Sequence, residues 1–360
     1  MVTRHSRMDT LVSPRRRAFV AALGALPLLG ACGRTPSSGA LPLVEFGGVT
    51  MGSLYSVKIA GAGVSRALEA AAHGAVASAL RSVDEAMSSH RPQSELSRFN
   101  DLCSASAVAL SPDMVSVFAL ARDVSASTAG AFDVTVAPAV DAWGFGRGRQ
   151  VRVLGNAEVS AIERRVGWQQ LVLDVRAGTL RKTAPHVRAD LSGIAKGYGV
   201  DKAAQALDAL GLEHYLIDAG GEVRTRGNNA EGLPWQVAIE QPMAGPRRPR
   251  YVVPLSGLAI ATSGDYRIFF ERDGRRYSHE IDPSTGKPID DRLASVSVVA
   301  ASGALADAMG KLIVLGPQRG FERAVALGLA AHFIVREGDG GLRDLMTPAF
   351  AQLGGHEIHA

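Results

Sequence analysis

Arg267-Ile268-Phe269-Phe270-Glu271-Arg272-Asp273-Gly274-Arg275-Arg276-Tyr277-Ser278 is the stretch from which the fold class follows. Asp-Gly supplies two adjacent residues that tolerate the left-handed backbone of a tight hairpin turn. Its flanks, 267–270 and 275–278, then read as paired antiparallel strands. The same arrangement recurs at Leu171–Asp174 and Thr179–Lys182 around Ala177-Gly178, and at 332–336 and Leu342–Met346 across 338–341. Strands are also expected at 54–59 and 215–218. Helices are interleaved with them. Leu68, Ala72, Ala75, Ala79 and Val83 recur at helical spacing within Arg66–Met87. Ser111-Pro112-Asp113 is a helix start, with a capping hydroxyl, proline at the first position and an acid against the dipole; that helix should end near Gly130. Further helices are expected at 196–210, ending at Gly211, and at 304–315, stopped by Gly316-Pro317. Hairpins mixed with helices imply an α+β fold, not a doubly wound parallel sheet.

Residues 1–31 read as an export signal. Arg4, Arg7, Arg15, Arg16 and Arg17 stand against Asp9, and residues 18–29 carry no charge. That run is shorter than the roughly 20 apolar residues a bilayer span requires. Leu29-Gly30-Ala31-Cys32 places small residues before a thiol that can carry a diacylglycerol. The mature protein is therefore expected to begin at Cys32 as a lipoprotein anchored in the inner membrane and facing the periplasm. Ser13 and Arg16-Arg17-Ala18-Phe19-Val20 resemble a twin-arginine signal, and the general secretory route fits equally well. Residues 32–45 read as a tether, 46–350 as the globular domain and 351–360 as a tail. The chain carries +4, and residues 1–31 hold all of that excess. The mature chain is formally neutral and shows no electrostatic footprint for nucleic acid. With Cys32 lipidated, Cys103 is alone and no internal disulfide can form.

Four segments place glycine, hydroxyl and charge where a plain core would be apolar. In Gly130-Ala131-Phe132-Asp133-Val134-Thr135, Asp133 can accept hydrogen bonds from a ligand or orient its own loop. In Asp190-Leu191-Ser192-Gly193-Ile194-Ala195-Lys196-Gly197-Tyr198, a strand is expected to feed a glycine loop and then a helix. A helix N-terminus with Lys196 beside it suits phosphate, although a bland connection with a surface lysine has the same pattern. Ala261-Thr262-Ser263-Gly264-Asp265-Tyr266 precedes His279-Glu280-Ile281-Asp282-Pro283-Ser284-Thr285-Gly286. His279 is a candidate base, or a polar strand end followed by ordinary turn chemistry. Asp307, in Ala306-Asp307-Ala308-Met309-Gly310-Lys311, is a candidate metal ligand or the partner of Lys311 in an i,i+4 ion pair.

Taken together and in order, these segments resemble the FAD:protein FMN transferase (ApbE-type) family. Met51-Gly52-Ser53-Leu54-Tyr55, Ser94-Glu95-Leu96-Ser97-Arg98-Phe99-Asn100 and Asp218-Ala219-Gly220-Gly221 extend the likeness. The resemblance implies an α+β, tunnelling-fold-like architecture with FAD in a cleft. It implies cleavage of FAD with magnesium and attachment of FMN, through a phosphoester, to a Thr or Ser of an extracytoplasmic acceptor protein, with release of AMP. By position, Met51, Ala131, Phe132, Asp133, Asp190, Lys196 and Ile281 match FAD contacts. His279 matches the base, and Gly193, through its carbonyl, and Asp307 match metal positions. Two residues depart from the family pattern. His90 replaces a usual tyrosine, which bears on the adenine end of FAD. Lys311 replaces a threonine that would bind metal, and an ammonium has no lone pair to offer. Hydrolysis of FAD to FMN and AMP, and non-enzymatic FAD binding, are the alternative activities.

Overall fold

Eight strands cross a single sheet in the order in which they occur in the chain: β1 (Leu43–Thr50), β2 (Ser53–Ala60), β3 (Tyr215–Ala219), β4 (Glu222–Arg226), β5 (Ala259–Gly264), β6 (Leu293–Ala300), β7 (Ala330–Arg336) and β8 (Leu342–Met346). Every neighbouring pair is antiparallel, so the expected α+β class holds. The computed structural model describes residues 40–146, 150–243, 245–290, 292–338 and 340–358. The export signal, Cys32 and residues 33–39 of the tether lie outside the described residues. Among the described residues, no helix is long and apolar enough to cross a membrane.

One face of the sheet carries helices α1 (Arg66–Met87), α2 (Pro112–Ser127), α3 (Ala195–Ala209) and α4 (Gly303–Gly310). The bounds of α1 are those expected; Ala72, Val76, Leu80, Val83 and Met87 form its buried stripe, and the Ser65 hydroxyl accepts from Leu68 N at 3.2 Å. Helix α2 stops at Ser127, short of Gly130, because Ala129 and Gly130 turn into left-handed backbone. The other face is covered by a small sheet of Trp235–Glu240, Pro249–Leu255 and His356–Glu357. Val223, Ile260, Val299 and Ile334 point that way, whereas Val296, Val298, Phe333 and Val335 point toward the helices. Residues 43–45 of the expected tether thus belong to β1, and the expected tail contributes a strand.

Three local expectations change. Asp273 and Gly274 make the expected turn, but its strands are Phe269–Arg272 and Arg275–Ser278; Arg267 and Ile268 fall outside because the Ile268 carbonyl turns to His279. No strand precedes Asp190. There, a side-chain amide replaces the ladder: Asn100 accepts from Ala189 N and donates to Ala189 O, each at 2.7 Å. The expected helix 304–315 is an α-helix only to Gly310, and Lys311–Leu315 continues as a 3-10 turn.

Helices α3 and α4 meet backbone to backbone. A Cβ on Gly197 would lie 2.1 Å from Gly303 O, and one on Gly303 would lie 2.5 Å from Gly197 O. Each helix also caps the other: Asp201 accepts from Gly303 N (2.7 Å) and Ala304 N (3.0 Å), and Asp307 accepts from Gly197 N at 3.1 Å. Gly197→Ala is therefore expected to lower stability by about 1–3 kcal/mol through overpacking alone, measured by chemical denaturation.

Candidate active site

Beside the α3–α4 contact lies a cleft of about 720 Å³. Met51, His90, Ala131, Phe132, Asp133, Asp190, Gly193, Lys196, His279 and Ile281 all line it. Asp307 does not: it is 5 % exposed and lies against the start of α3. Met51 enters the cleft from the β1–β2 turn, where it and Gly52 both hold positive φ (45° and 75°). A methionine there is strained by roughly 1–2 kcal/mol, and only the two-residue turn between paired Thr50 and Ser53 imposes it. His90 is exposed at the rim, its N–H bonded to Ser88 Oγ. Ala131 and Phe132 are buried in the wall, and Phe132 N donates to Thr128 Oγ1.

Asp133 works mainly as a loop organiser. It accepts from Thr135 N, Thr135 Oγ1 and Trp168 N at 2.6–2.8 Å. Burial nevertheless raises its carboxyl above the usual range, outweighing those bonds. Asp190 shapes the turn into α3 by accepting from Ser192 N at 2.8 Å. The phosphate-cradle expectation for this helix end weakens, because Ile194 N and Ala195 N donate to Leu191 O and Gly197 N donates to Asp307.

His279 is fixed by the hairpin that set the fold class. Its backbone N (3.1 Å) and Nδ1 (3.0 Å) both meet the Ile268 carbonyl. A carbonyl only accepts, so the proton sits on Nδ1 and Nε2 keeps the lone pair a base requires. The hairpin is itself anchored by aromatic contacts: Phe270 stacks on Tyr277, Tyr277 on Trp143, and Trp143 Nε1 donates to Gly286 O at 2.8 Å. Ile281 pairs with Pro288 and packs against Trp143 and its neighbours.

A family model described as the ApbE family matches residues 51–333. The chain belongs to the ApbE family. It is 40% identical over 318 residues to the FAD:protein FMN transferase of Haemophilus influenzae, covering 86% of this chain and 91% of that one. It is 37% identical over 307 residues to the Escherichia coli protein of the same name (84% and 87%). Among solved structures, the flavin transferase ApbE from Vibrio cholerae matches with a TM-score of 0.79 at 37% identity, over 87% of this chain and 99% of that one. The apo flavinyl transferase ApbE of Pseudomonas stutzeri matches at 0.78 and 39%, over 87% and 97%.

In this ApbE-family chain, two lysines reach the cleft and each is met by a buried glutamate. Lys196 pairs with Glu222. Lys311 Nζ lies 2.8 and 2.9 Å from the two oxygens of Glu280, which is 4 % exposed. The i,i+4 pair of Asp307 with Lys311 does not form: Asp307 turns to α3, and Lys311 neutralises a carboxylate that would otherwise be buried alone. Burial opposes both charges at Lys196, yet Glu222 and Asp307 hold its ammonium above the usual range. Burial pushes Glu222 up, and its Oε2 has no hydrogen-bond partner among the described residues. Burial would raise Glu280 too, but Lys311 and then His279 bring it below the usual range. Neither glutamate was assigned a role from sequence. Glu280 adjoins the flagged histidine, and Glu222 follows Gly220-Gly221; those were the only signals.

Lys196 pairs with Glu222 and Lys311 with Glu280, which leaves Asp307, bonded to Gly197 N, without an ammonium partner among the described residues. The Gly193 carbonyl accepts no hydrogen bond among the described residues. Both features fit a hard divalent cation held by few protein oxygens and completed by phosphate. No group of three or more His, Cys, Asp or Glu that could hold a metal occurs among the described residues. Burial, ahead of the opposing pull of Glu280, lowers the His279 pKa. An NMR titration should place it below about 6.5. Because folding then lowers its affinity for protons, its contribution to stability should fall as pH drops below that value.

Proposed function

We propose that this protein cleaves FAD and transfers FMN to a hydroxyl of an acceptor protein, releasing AMP. The observation that carries the reading is His279: an imidazole whose Nδ1 contact to Ile268 leaves the lone pair on Nε2, 3.7 Å from Glu280 Oε1, in a cleft that also holds two ammonium groups. Phosphoryl transfer calls for positioning and charge neutralisation more than for covalent participation by the protein. A Thr or Ser hydroxyl is a weak nucleophile without a base. His279 Nε2 takes the hydroxyl proton as the oxygen forms its bond to the FMN phosphorus. The pyrophosphate P–O bond breaks, and AMP leaves with its own phosphate. Phe132 and Met51 supply apolar wall for the flavin dinucleotide, and His90 stands at the rim.

Asp307 and the Gly193 carbonyl are the residues we assign to magnesium. Bound there, magnesium would neutralise charge developing on the pyrophosphate oxygens. Lys311 faces Glu280 instead of Asp307, so it does not block that carboxylate. This removes the motive for reading the chain as a non-enzymatic FAD binder. The setting we propose is extracytoplasmic, with Cys32 lipidated at the inner membrane and the acceptor domain outside the cytoplasm.

Mass spectrometry of a candidate acceptor incubated with FAD and magnesium should show the mass added by FMN, with AMP release that depends on the acceptor. AMP and free FMN appearing equally without an acceptor would establish hydrolysis instead. His279→Ala should lower the transfer rate by about 10²–10⁴-fold while FAD still binds.

A further inference from the structure

Lys311 is placed differently from the other cleft lysine. Its stem runs along Gly193, where a Cβ would lie 2.8 Å from Lys311 Cε. The glycine therefore opens the path by which the ammonium reaches the cleft. An ammonium has three donors, and Glu280 takes two contacts from it, at 2.8 and 2.9 Å. The side chain is 22% exposed, against 4% for Glu280. Its glutamate is thus fixed inside, and its own head group faces the ligand space.

We propose that Lys311 binds the pyrophosphate of FAD, and that Glu280 is a positioning residue that holds the ammonium in the cleft until the phosphate arrives. This rests on FAD being the substrate. On binding, a phosphate oxygen takes the remaining donor and competes with Glu280 for the others. Charge-assisted hydrogen bonds of this kind are among the stronger polar contacts. Lys311 then supplies positive charge that does not depend on a divalent cation. Lys196 differs in its partners: it is held by Glu222 and lies close to Asp307.

The test is FAD binding to the full chain, followed by flavin fluorescence with EDTA present, and with riboflavin as a probe that lacks phosphate. Lys311→Met should weaken FAD binding about tenfold or more, and Lys311→Arg should stay within about threefold of the parent. Glu280→Gln keeps the shape but releases the ammonium, and should tighten FAD binding about threefold or more. Riboflavin affinity should not move in any variant. A purely structural pair would make both substitutions weaken both ligands. That result, or unchanged FAD affinity in Lys311→Met, would overturn the proposal. If the parent protein bound riboflavin but not FAD, with or without magnesium, the substrate reading itself would fall as well.

Discussion

The contact between α3 and α4 is the constraint on which the site depends. Gly197 and Gly303 let two helices approach until their backbones touch, closer than any Cβ would permit. The approach brings Asp201 to the first N–H groups of α4 and Asp307 to Gly197 N. Buried helix ends need such partners, since their first N–H groups have none within the helix. Each helix thus satisfies the other, and the exchange sets three things at once: the depth of Asp307, the position of Lys196 and the course of the 190–194 loop. Lys311, one residue beyond α4, is carried to the Gly193 loop by the same packing.

Around that contact the cleft is organised by charge balance. Each of the two lysine ammonium groups that reach it is matched by a buried carboxylate. A site of this kind tolerates a cation and an anionic pyrophosphate together, because neither arrives in a field already saturated by its own sign. The histidine touches this arrangement through Glu280, whose Oε1 lies 3.7 Å from its Nε2. It belongs to the small hairpin, held by aromatic stacking against Trp143, and is the element most independent of the helices. The base and one counter-charge, Glu280, therefore come from one short segment, and the two lysines reach them from α3 and the turn after α4.

The sequence by itself determined the features governed by short-range physics. Asp273-Gly274 fixed a hairpin because two adjacent residues had to accept positive φ. Ser111 fixed a helix start because a hydroxyl reaches an N–H three residues away. Interleaved hairpins gave the α+β class; the site residues came from the family resemblance, and ten of those eleven line one cleft. Only the tertiary structure decided the rest. The strand expected before Asp190 is replaced by a bond to Asn100, 89 residues away. The helix passes into a 3-10 turn after Gly310, where a Cβ would lie 2.9 Å from the Ser263 hydroxyl. The strand Leu293–Ala300 is buried on both faces, and its alternating serines and valines gave no sign of that. Lys311 stood four residues from Asp307 and chose Glu280, 31 residues away. Local spacing specifies which partners a residue can reach within its own element. Which buried charge it must neutralise is settled only when distant segments come together and water is excluded.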